Sequence, residues 1–367
     1  MIIGIPKEIK DQEYRVAIVP AGVKTLTGFC HTVLIQTKAG TGSGISDEEY
    51  IAAGAVIVNS ADELFERSDM IIKVKEPLPA EYSLLRSGQV LFTFLHLAAD
   101  PKLTEALIKS SIIAIAYETV QLDDGSLPIL IPMSEIAGRV AAIAGAYHLQ
   151  MAQGGSGILI SGVPGVLPGK VTILGAGTVG QNAAKIAVGL GARVVMLNKS
   201  FKNLKYIDDI HDGRIATLSL NEHNIEQEVL SSDIVIGAVL VPGSKAPFLV
   251  SRELVARMQK GSVIVDVSID QGGCVETSRP TTHSQPVYCV DGVIHYCVAN
   301  MPGAFPRTST IALTNVTLPY ITKLANLGWE RAINEDRTLA KGVNIVEGKV
   351  THQGVANAFG LNYEPLC

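Results

Sequence analysis

Short β-branched runs alternate along this chain with segments whose apolar residues recur at helical spacing. Ser46 and Glu49 have the spacing of a capping box and predict that a helix begins in one of these segments. Strands that alternate with helices are typical of a largely parallel sheet, so the predicted fold class is α/β. The predicted strands are residues 2–5, 33–37, 55–58, 70–74, 90–95, 112–117, 171–174, 193–197, 234–239, 263–267 and 294–298.

One interruption of this alternation predicts the domain organisation. A Pro-rich stretch at residues 127–132 precedes a long helical pattern at 135–152, and a loop rich in Gly and Pro separates that pattern from the second series of strands. The residues after Pro302 carry helical patterns but are too few for a third α/β domain. We therefore expect two domains, a discontinuous one of residues 1–130 and 306–367 and a continuous one of residues 131–305.

Composition and charge exclude several classes of protein. Apolar residues make up 47% of the chain and charged residues 18%, so most of it has to be packed rather than disordered. The net charge is −5, which argues against a nucleic-acid partner. Apolar runs such as residues 234–241 are far shorter than the roughly 20 residues that a membrane-spanning helix needs. Charged residues replace the apolar run of a signal peptide near the N-terminus, so we expect a cytoplasmic protein without a membrane partner.

Cysteine and histidine give no sign of a metal site. The five cysteines form no C-x-x-C pair, and the eight histidines show no H-x-H or H-E-x-x-H spacing. We expect neither a disulfide framework nor a bound metal.

The most specific motif is a G-x-G-x-x-G sequence formed by Gly175, Gly177 and Gly180 directly after a predicted strand. Such glycines let the backbone approach a pyrophosphate at a helix N-terminus, which predicts dinucleotide binding. The next strand ends in Asn198, where an acidic residue that binds the adenine ribose is usual, and Lys199 follows. NAD is the expected cofactor, and NADP stays open because of Asn198.

Three polar residues follow predicted strands, where open α/β sheets bind their ligands. Lys75, His96 and Asp270 each stand at such an end, and a cleft between the two domains would gather them. A histidine there suits a base that works near neutral pH. Arg15 lies in the loop after the first strand, from which a guanidinium can bind a carboxylate with two bonds. Together these residues favour a small anionic substrate.

The chain resembles the alanine dehydrogenases, a family related to the soluble nicotinamide-binding part of pyridine nucleotide transhydrogenase. The resemblance runs nearly from end to end, and the segments that carry it are residues 4–8, 13–17, 74–77, 92–98, 133–139, 162–166, 266–273 and 298–302. It implies two Rossmann-like domains joined by long helices, with the active-site cleft between them. The discontinuous domain would bind the substrate and the continuous one NAD.

The resemblance also implies an activity and a set of site residues. The reaction is reversible oxidative deamination of L-alanine to pyruvate and ammonium, by hydride transfer from the substrate Cα to the nicotinamide, in a homohexamer. His96, Asp270 and Lys75 would be catalytic, and Arg15, Lys75, Met133 and Asn300 would bind the substrate. The residues expected to bind the cofactor are Ser134, Gly175, Gly177, Thr178, Val179, Gly180, Asn198, Lys199, Val239, Leu240, Ile269, Asp270, Asn300 and Met301.

Three other functions fit parts of this pattern. A transhydrogenase domain normally accompanies membrane spans, and a lysine-pathway dehydrogenase of similar build would need a larger pocket. A non-catalytic NAD(H)-binding protein could use the same scaffold, although the intact set of Arg15, Lys75, His96 and Asp270 argues against it.

Overall fold

The chain divides into two compact units in the computed structural model, which describes residues 1–239 and 246–366. The first unit consists of Met1–Met133 and Phe305–Cys367, and the second of Ser134–Ala304. The boundary after Met133 falls inside a helix, Ile131–His148.

Fifteen strands are present among the described residues. They are β1 (Ile2–Ile5), β2 (Thr32–Gln36), β3 (Val56–Val58), β4 (Met70–Ile72), β5 (Val90–Thr93), β6 (Ile113–Ala116), β7 (Lys170–Leu174), β8 (Arg193–Asn198), β9 (Ile215–Ser219), β10 (Ile234–Gly237), β11 (Val263–Asp266), β12 (Val287–Val290), β13 (Val293–Tyr296), β14 (Val343–Val346) and β15 (Lys349–Val350).

Thirteen α-helices are present in the same ranges. They are α1 (Pro20–Gly28), α2 (Asp47–Ala52), α3 (Ala61–Arg67), α4 (Pro101–Ser110), α5 (Ile131–His148), α6 (Thr178–Gly189), α7 (Phe201–His211), α8 (Glu222–Leu230), α9 (Arg252–Arg257), α10 (Pro306–Leu327), α11 (Trp329–Glu335), α12 (Arg337–Lys341) and α13 (Gln353–Phe359). None of them combines the length and hydropathy needed to cross a bilayer.

The first unit contains an eight-stranded sheet in the order β15-β14-β6-β5-β4-β1-β2-β3. Strands β1 to β6 are parallel, and β14 and β15 extend the sheet in antiparallel pairing. Every residue of β4, β5 and β6 is buried, as expected for parallel strands covered on both faces. The strand order reverses between β1 and β4, and this switch point is where such sheets bind ligands.

The second unit contains a seven-stranded sheet in the order β12-β13-β11-β10-β7-β8-β9. All neighbours are parallel except β12, which pairs antiparallel with β13. The strand order reverses between β7 and β10, so both units have the same doubly wound arrangement.

These sheets confirm the predicted α/β class and the two largely parallel sheets. The capping box is also confirmed, because Ser46 Oγ accepts a hydrogen bond from the Glu49 amide and the Glu49 carboxylate accepts one from the Ser46 amide. Helix α5 begins at Ile131, earlier than the predicted start near Ser134. Pro132 is tolerated in the first turn, since the amide it lacks would have no partner within the helix.

A fully buried ion cluster lies at the switch point of the first unit. Lys73 Nζ is 3.1 Å from Glu8 Oε2 and 2.8 Å from Glu81 Oε1, and all three side chains are at most 4% exposed. Burial raises the pKa of Glu8, although the Lys73 cation opposes this effect. Burial alone would lower the pKa of Lys73, but the two carboxylates raise it above its ordinary value, so Lys73 stays a cation.

Replacing this lysine should therefore destabilise the fold. Lys73→Met leaves two buried carboxylates without their cation and should lower the free energy of unfolding by about 3–5 kcal/mol, measured by urea denaturation. The matched control is Lys109→Met, at an exposed position of α4, which should change it by less than about 0.5 kcal/mol. Equal effects of the two substitutions would contradict the stabilising role of the cluster.

Candidate functional site

Lys75 lies just beyond the end of β4, where a carboxylate and a hydroxyl hold its backbone. Glu8 Oε1 accepts hydrogen bonds from the Val74 amide at 2.7 Å and from the Lys75 amide at 3.3 Å. Thr93 Oγ1, at the end of the adjacent strand β5, donates to the Lys75 carbonyl at 3.0 Å. The ion cluster with Lys73 therefore fixes the segment that carries Lys75.

Arg15 is a buried cation with a bidentate internal partner. Its Nε and Nη2 atoms donate to the two carboxylate oxygens of Glu13 at 2.7 and 2.5 Å, and its Nη1 atom donates to Met133 Sδ at 3.3 Å. The sequence suggested that this guanidinium binds a substrate carboxylate with two bonds, but in the structure its Nε edge binds Glu13. The predicted substrate residues Arg15 and Met133 are in direct contact.

His96 follows β5 and has an unusual backbone conformation. Its φ and ψ are 51° and 37°, the left-handed region that residues other than glycine rarely adopt. The imidazole is exposed and lies parallel to the Phe94 ring, with 5.8 Å between ring centroids and 3° between planes. Glu118 accepts hydrogen bonds from the Leu95 and His96 amides. Since β4 and β5 are adjacent parallel strands, Lys75 and His96 lie at the same edge of the sheet.

The glycine motif lies between β7 and α6, at the switch point of the second unit. Gly175 has φ +115°, and a Cβ there would collide with the Ala238 carbonyl oxygen. A Cβ at Gly180 would collide with the Gly175 carbonyl oxygen, so this glycine permits close packing of α6 on the loop. Thr178 and Val179 form the first turn of α6 together with Gly180.

Gly177 differs from these two glycines, because a Cβ at this position would meet no atom within 4 Å. It is the N-cap of α6 and supplies no side-chain hydrogen bond to the first turn. The amides of a helix N-terminus without a side-chain cap suit a phosphate. The open space at Gly177 and the uncapped helix therefore fit the pyrophosphate of a dinucleotide.

Asn198, at the end of β8, is bonded to the glycine loop. Its Oδ1 accepts a hydrogen bond from the Ala176 amide at 3.2 Å, and its Nδ2 donates to the Ser200 carbonyl at 3.2 Å. An aspartate could accept the first bond but could not donate the second. Lys199 is exposed beside it. Asn198 thus stabilises the glycine loop.

Asp270 is exposed and belongs to a short 3₁₀ turn, Val267–Gln271, that follows β11. Asp266 anchors this turn: it is fully buried and accepts hydrogen bonds from the amides of Ser268 and Cys274. Burial raises the pKa of Asp266, although the hydrogen bonds that its carboxylate accepts lower it in part. Ser268 Oγ in turn bonds both the amide and the carbonyl of Val239. The predicted residues Val239, Ile269 and Asp270 therefore lie on two connected segments.

The remaining residues predicted to bind substrate or cofactor are Ser134, Leu240, Asn300 and Met301. Ser134 is half-buried in the first turns of α5, and Met301 is buried. Asn300 has φ +132°, and its carbonyl is 2.9 Å from His283 Nε2. Leu240 lies outside the described residues. No group of three or more His, Cys, Asp or Glu residues in the described ranges has the arrangement of a metal site.

Four carboxylates that support these residues were not among the sequence predictions: Glu8, Glu13, Glu118 and Asp266. Glu118 follows β6, so the reasoning that selected residues at strand ends applies to it as well. It applies to Asp266 too, the last residue of β11. Glu8 and Glu13 show no signal of their own, because their role depends on which groups the fold brings to them.

Comparisons with known proteins cover the whole chain. A family model described as the alanine dehydrogenase/PNT N-terminal domain matches residues 4–137, and one described as the C-terminal domain matches residues 141–353. An alanine dehydrogenase from Methanococcus maripaludis is 56% identical over 100% of this chain and 98% of its own length. An alanine dehydrogenase from Halomonas elongata is 53% identical over 99% of this chain and 98% of its own length.

Solved structures show the same similarity. An L-alanine dehydrogenase structure has a TM-score of 0.95 and 53% identity, covering 98% of this chain and 99% of its own. A transhydrogenase structure from Sinorhizobium meliloti shares the fold, with a TM-score of 0.81 and 24% identity. The match covers 96% of this chain and 99% of that one. The chain belongs to the alanine dehydrogenase/PNT family.

Proposed function

We propose that this protein catalyses the reversible NAD-dependent oxidative deamination of L-alanine to pyruvate and ammonium. The observation that carries the proposal is the identity of 53–56% with alanine dehydrogenases over essentially the whole chain. Arg15, Lys75, His96 and Asp270, the residues that the resemblance assigns to the reaction, are all present.

In the first unit, the proposed roles follow from charge and position. Arg15 and Lys75 bind the substrate carboxylate, and Lys75 also stabilises the carbonyl oxygen as it forms. Met133, which already contacts Arg15, borders the pocket for the substrate methyl group. His96 takes a proton from the substrate ammonium, which frees the nitrogen lone pair needed for loss of the Cα hydride. An exposed imidazole can exchange this proton with solvent.

In the second unit, the proposed roles concern the nucleotide and water. The glycine loop and the first turn of α6 hold the pyrophosphate, which the open space at Gly177 accommodates. Ser134, Val239, Leu240, Ile269, Asn300 and Met301 border the rest of the nucleotide. Asp270 activates the water that attacks the imino carbon and steadies the carbinolamine that follows. When bound, NAD supplies the nicotinamide ring that accepts the hydride.

NAD rather than NADP is the proposed nucleotide. The Asn198 carbonyl oxygen accepts the Ala176 amide and has a second lone pair for a ribose hydroxyl, while one N–H of its NH2 group donates to the Ser200 carbonyl. This arrangement supports recognition of an unphosphorylated ribose, although Lys199 nearby carries a positive charge.

We also propose a cytoplasmic homohexamer. The second unit exposes large apolar side chains on α5 and the loop that follows it, among them Tyr147, Met151, Val166 and Leu167. Large apolar side chains left exposed in one part of the chain support a subunit interface there. Sedimentation equilibrium should give a mass near six times that of the 38.9 kDa chain. A monomer at micromolar concentration would contradict the proposal.

The activity itself predicts a clear mutational result. The purified protein should form NADH from L-alanine and NAD, with a kcat/KM at least about tenfold lower for NADP. His96→Ala should lower kcat by roughly 10²–10⁴, because the base is lost, while the Kd for NADH stays within about twofold. Absorbance at the reduced nicotinamide band and calorimetric titration measure the two quantities.

The control for this experiment is His223→Ala, which removes an exposed histidine from the second unit and should leave kcat unchanged. Near wild-type turnover by His96→Ala would remove His96 from the mechanism. Absence of L-alanine turnover by the wild-type protein would contradict the proposed function.

The pyrophosphate site predicts a contrast between Gly177, the N-cap of α6, and Gly189, the last residue of α6. A methyl group meets no atom within 4 Å at Gly177 or at Gly189, so both variants should fold. Gly177→Ala should lower the free energy of unfolding by no more than about 1 kcal/mol, because alanine is a weaker N-cap than glycine, and Gly189→Ala should not lower it. Gly177→Ala should raise the Kd for NADH about tenfold or more, because the methyl group occupies the space for the pyrophosphate. Gly189→Ala, at the other end of the helix, should leave that Kd unchanged. Equal Kd values for the two variants would contradict this site.

A further inference from the structure

We propose that Glu118 is a positioning residue that fixes the backbone of His96 and thereby the direction of its imidazole. The inference rests on the proposed function, because it concerns how the proposed base is held in place. Glu118 lies in the turn after β6, and His96 lies in the loop after the adjacent parallel strand β5.

The backbone of His96 needs such support. A left-handed conformation at a residue with a Cβ is less stable than a right-handed one, so surrounding contacts have to maintain it. The carboxylate of Glu118 supplies these contacts: Oε1 lies 2.6 Å from the His96 amide nitrogen, and Oε2 lies 3.2 Å from the Leu95 amide nitrogen. Two successive amides that point at one anion form a backbone nest, and charge strengthens both bonds.

The ring of His96 has a separate support that starts from the same turn. Phe94 lies parallel to the imidazole, and the Tyr117 ring meets Phe94 edge-on with 5.1 Å between centroids. Tyr117 is fully buried and immediately precedes Glu118 in the chain. The turn after β6 thus restrains His96 twice, at its backbone through Glu118 and at its ring face through Tyr117 and Phe94.

The geometry also separates this role from direct catalysis. Both Glu118 oxygens accept bonds from backbone amides, and Oε1 also lies 3.3 Å from the Leu95 nitrogen. The carboxylate therefore acts on the main chain of His96. If Glu118 works in this way, its removal should cost no more than the loss of His96 itself.

The kinetic test uses three variants. Glu118→Ala removes both acceptors and should lower kcat about 10–100-fold, since small misplacements of a catalytic group have effects of this size, while the KM for NAD changes less than about twofold. Glu118→Gln keeps one acceptor for the His96 amide and should restore most of kcat. Glu105→Gln, which alters an exposed carboxylate of α4, should equal the wild type. An unchanged kcat in Glu118→Ala would overturn the proposal.

A double-mutant cycle with His96→Ala distinguishes positioning from general support of the fold. In the His96→Ala background, Glu118→Ala should change kcat by less than about twofold, because the side chain it positions is absent. A further 10–100-fold loss in that background would show that Glu118 acts independently of His96 and would overturn the proposal.

Hydrogen exchange tests the same contact without any substrate. The amides of Leu95 and His96 should exchange at least about tenfold faster in Glu118→Ala than in the wild type. In Glu105→Gln their exchange rates should equal those of the wild type. Equal exchange in all three proteins would overturn the positioning role. This measurement remains valid even if the wild-type protein fails to turn over L-alanine, an outcome that would contradict the proposed function alone.

Discussion

Backbone amides at the carboxyl ends of parallel strands need acceptors once the sheet pairing stops, and in this protein buried or half-buried carboxylates supply them. Glu8 accepts the amides after β4, Glu118 those after β5, and Asp266 those after β11. Each carboxylate fixes a segment that carries a proposed functional residue. These charge-assisted bonds satisfy the amides and stabilise the conformation of the strand ends.

The carboxylates have costs of their own, which the structure offsets locally. Glu8 shares the buried cation Lys73 with Glu81, and Asp266 is surrounded by amide donors. Glu13 likewise neutralises Arg15 and fixes the orientation of its guanidinium through two hydrogen bonds. The orientation of Arg15 and the backbone of Lys75 are thus set before any ligand arrives, which reduces the ordering that binding would require.

Nucleotide recognition depends on a different constraint, the close approach of backbone to backbone. Gly175 and Gly180 are required by neighbouring carbonyl oxygens, whereas Gly177 faces open space. The same motif therefore combines two glycines that packing requires with one that packing does not require, at the position proposed for the pyrophosphate. Asn198 completes the loop by bonding to Ala176, so its amide has a structural role in addition to any contact with ribose.

The sequence alone determined the α/β class, the parallel core strands and the glycine motif. Buried parallel strands read as continuous apolar runs, and the motif has local spacing. It did not reveal β9, β12, β14 and β15. Strands β9 and β12 lie at sheet edges and their partly exposed residues lack such a run, whereas β14 is buried but has only four residues, one of them Asn344. Nor did it reveal that Glu8, Glu118 and Asp266 hold the strand ends, or that Glu13 occupies one edge of Arg15. Only the tertiary structure decided these contacts, because hydrogen bonding between residues such as Glu8 and Val74 depends on which strands become neighbours.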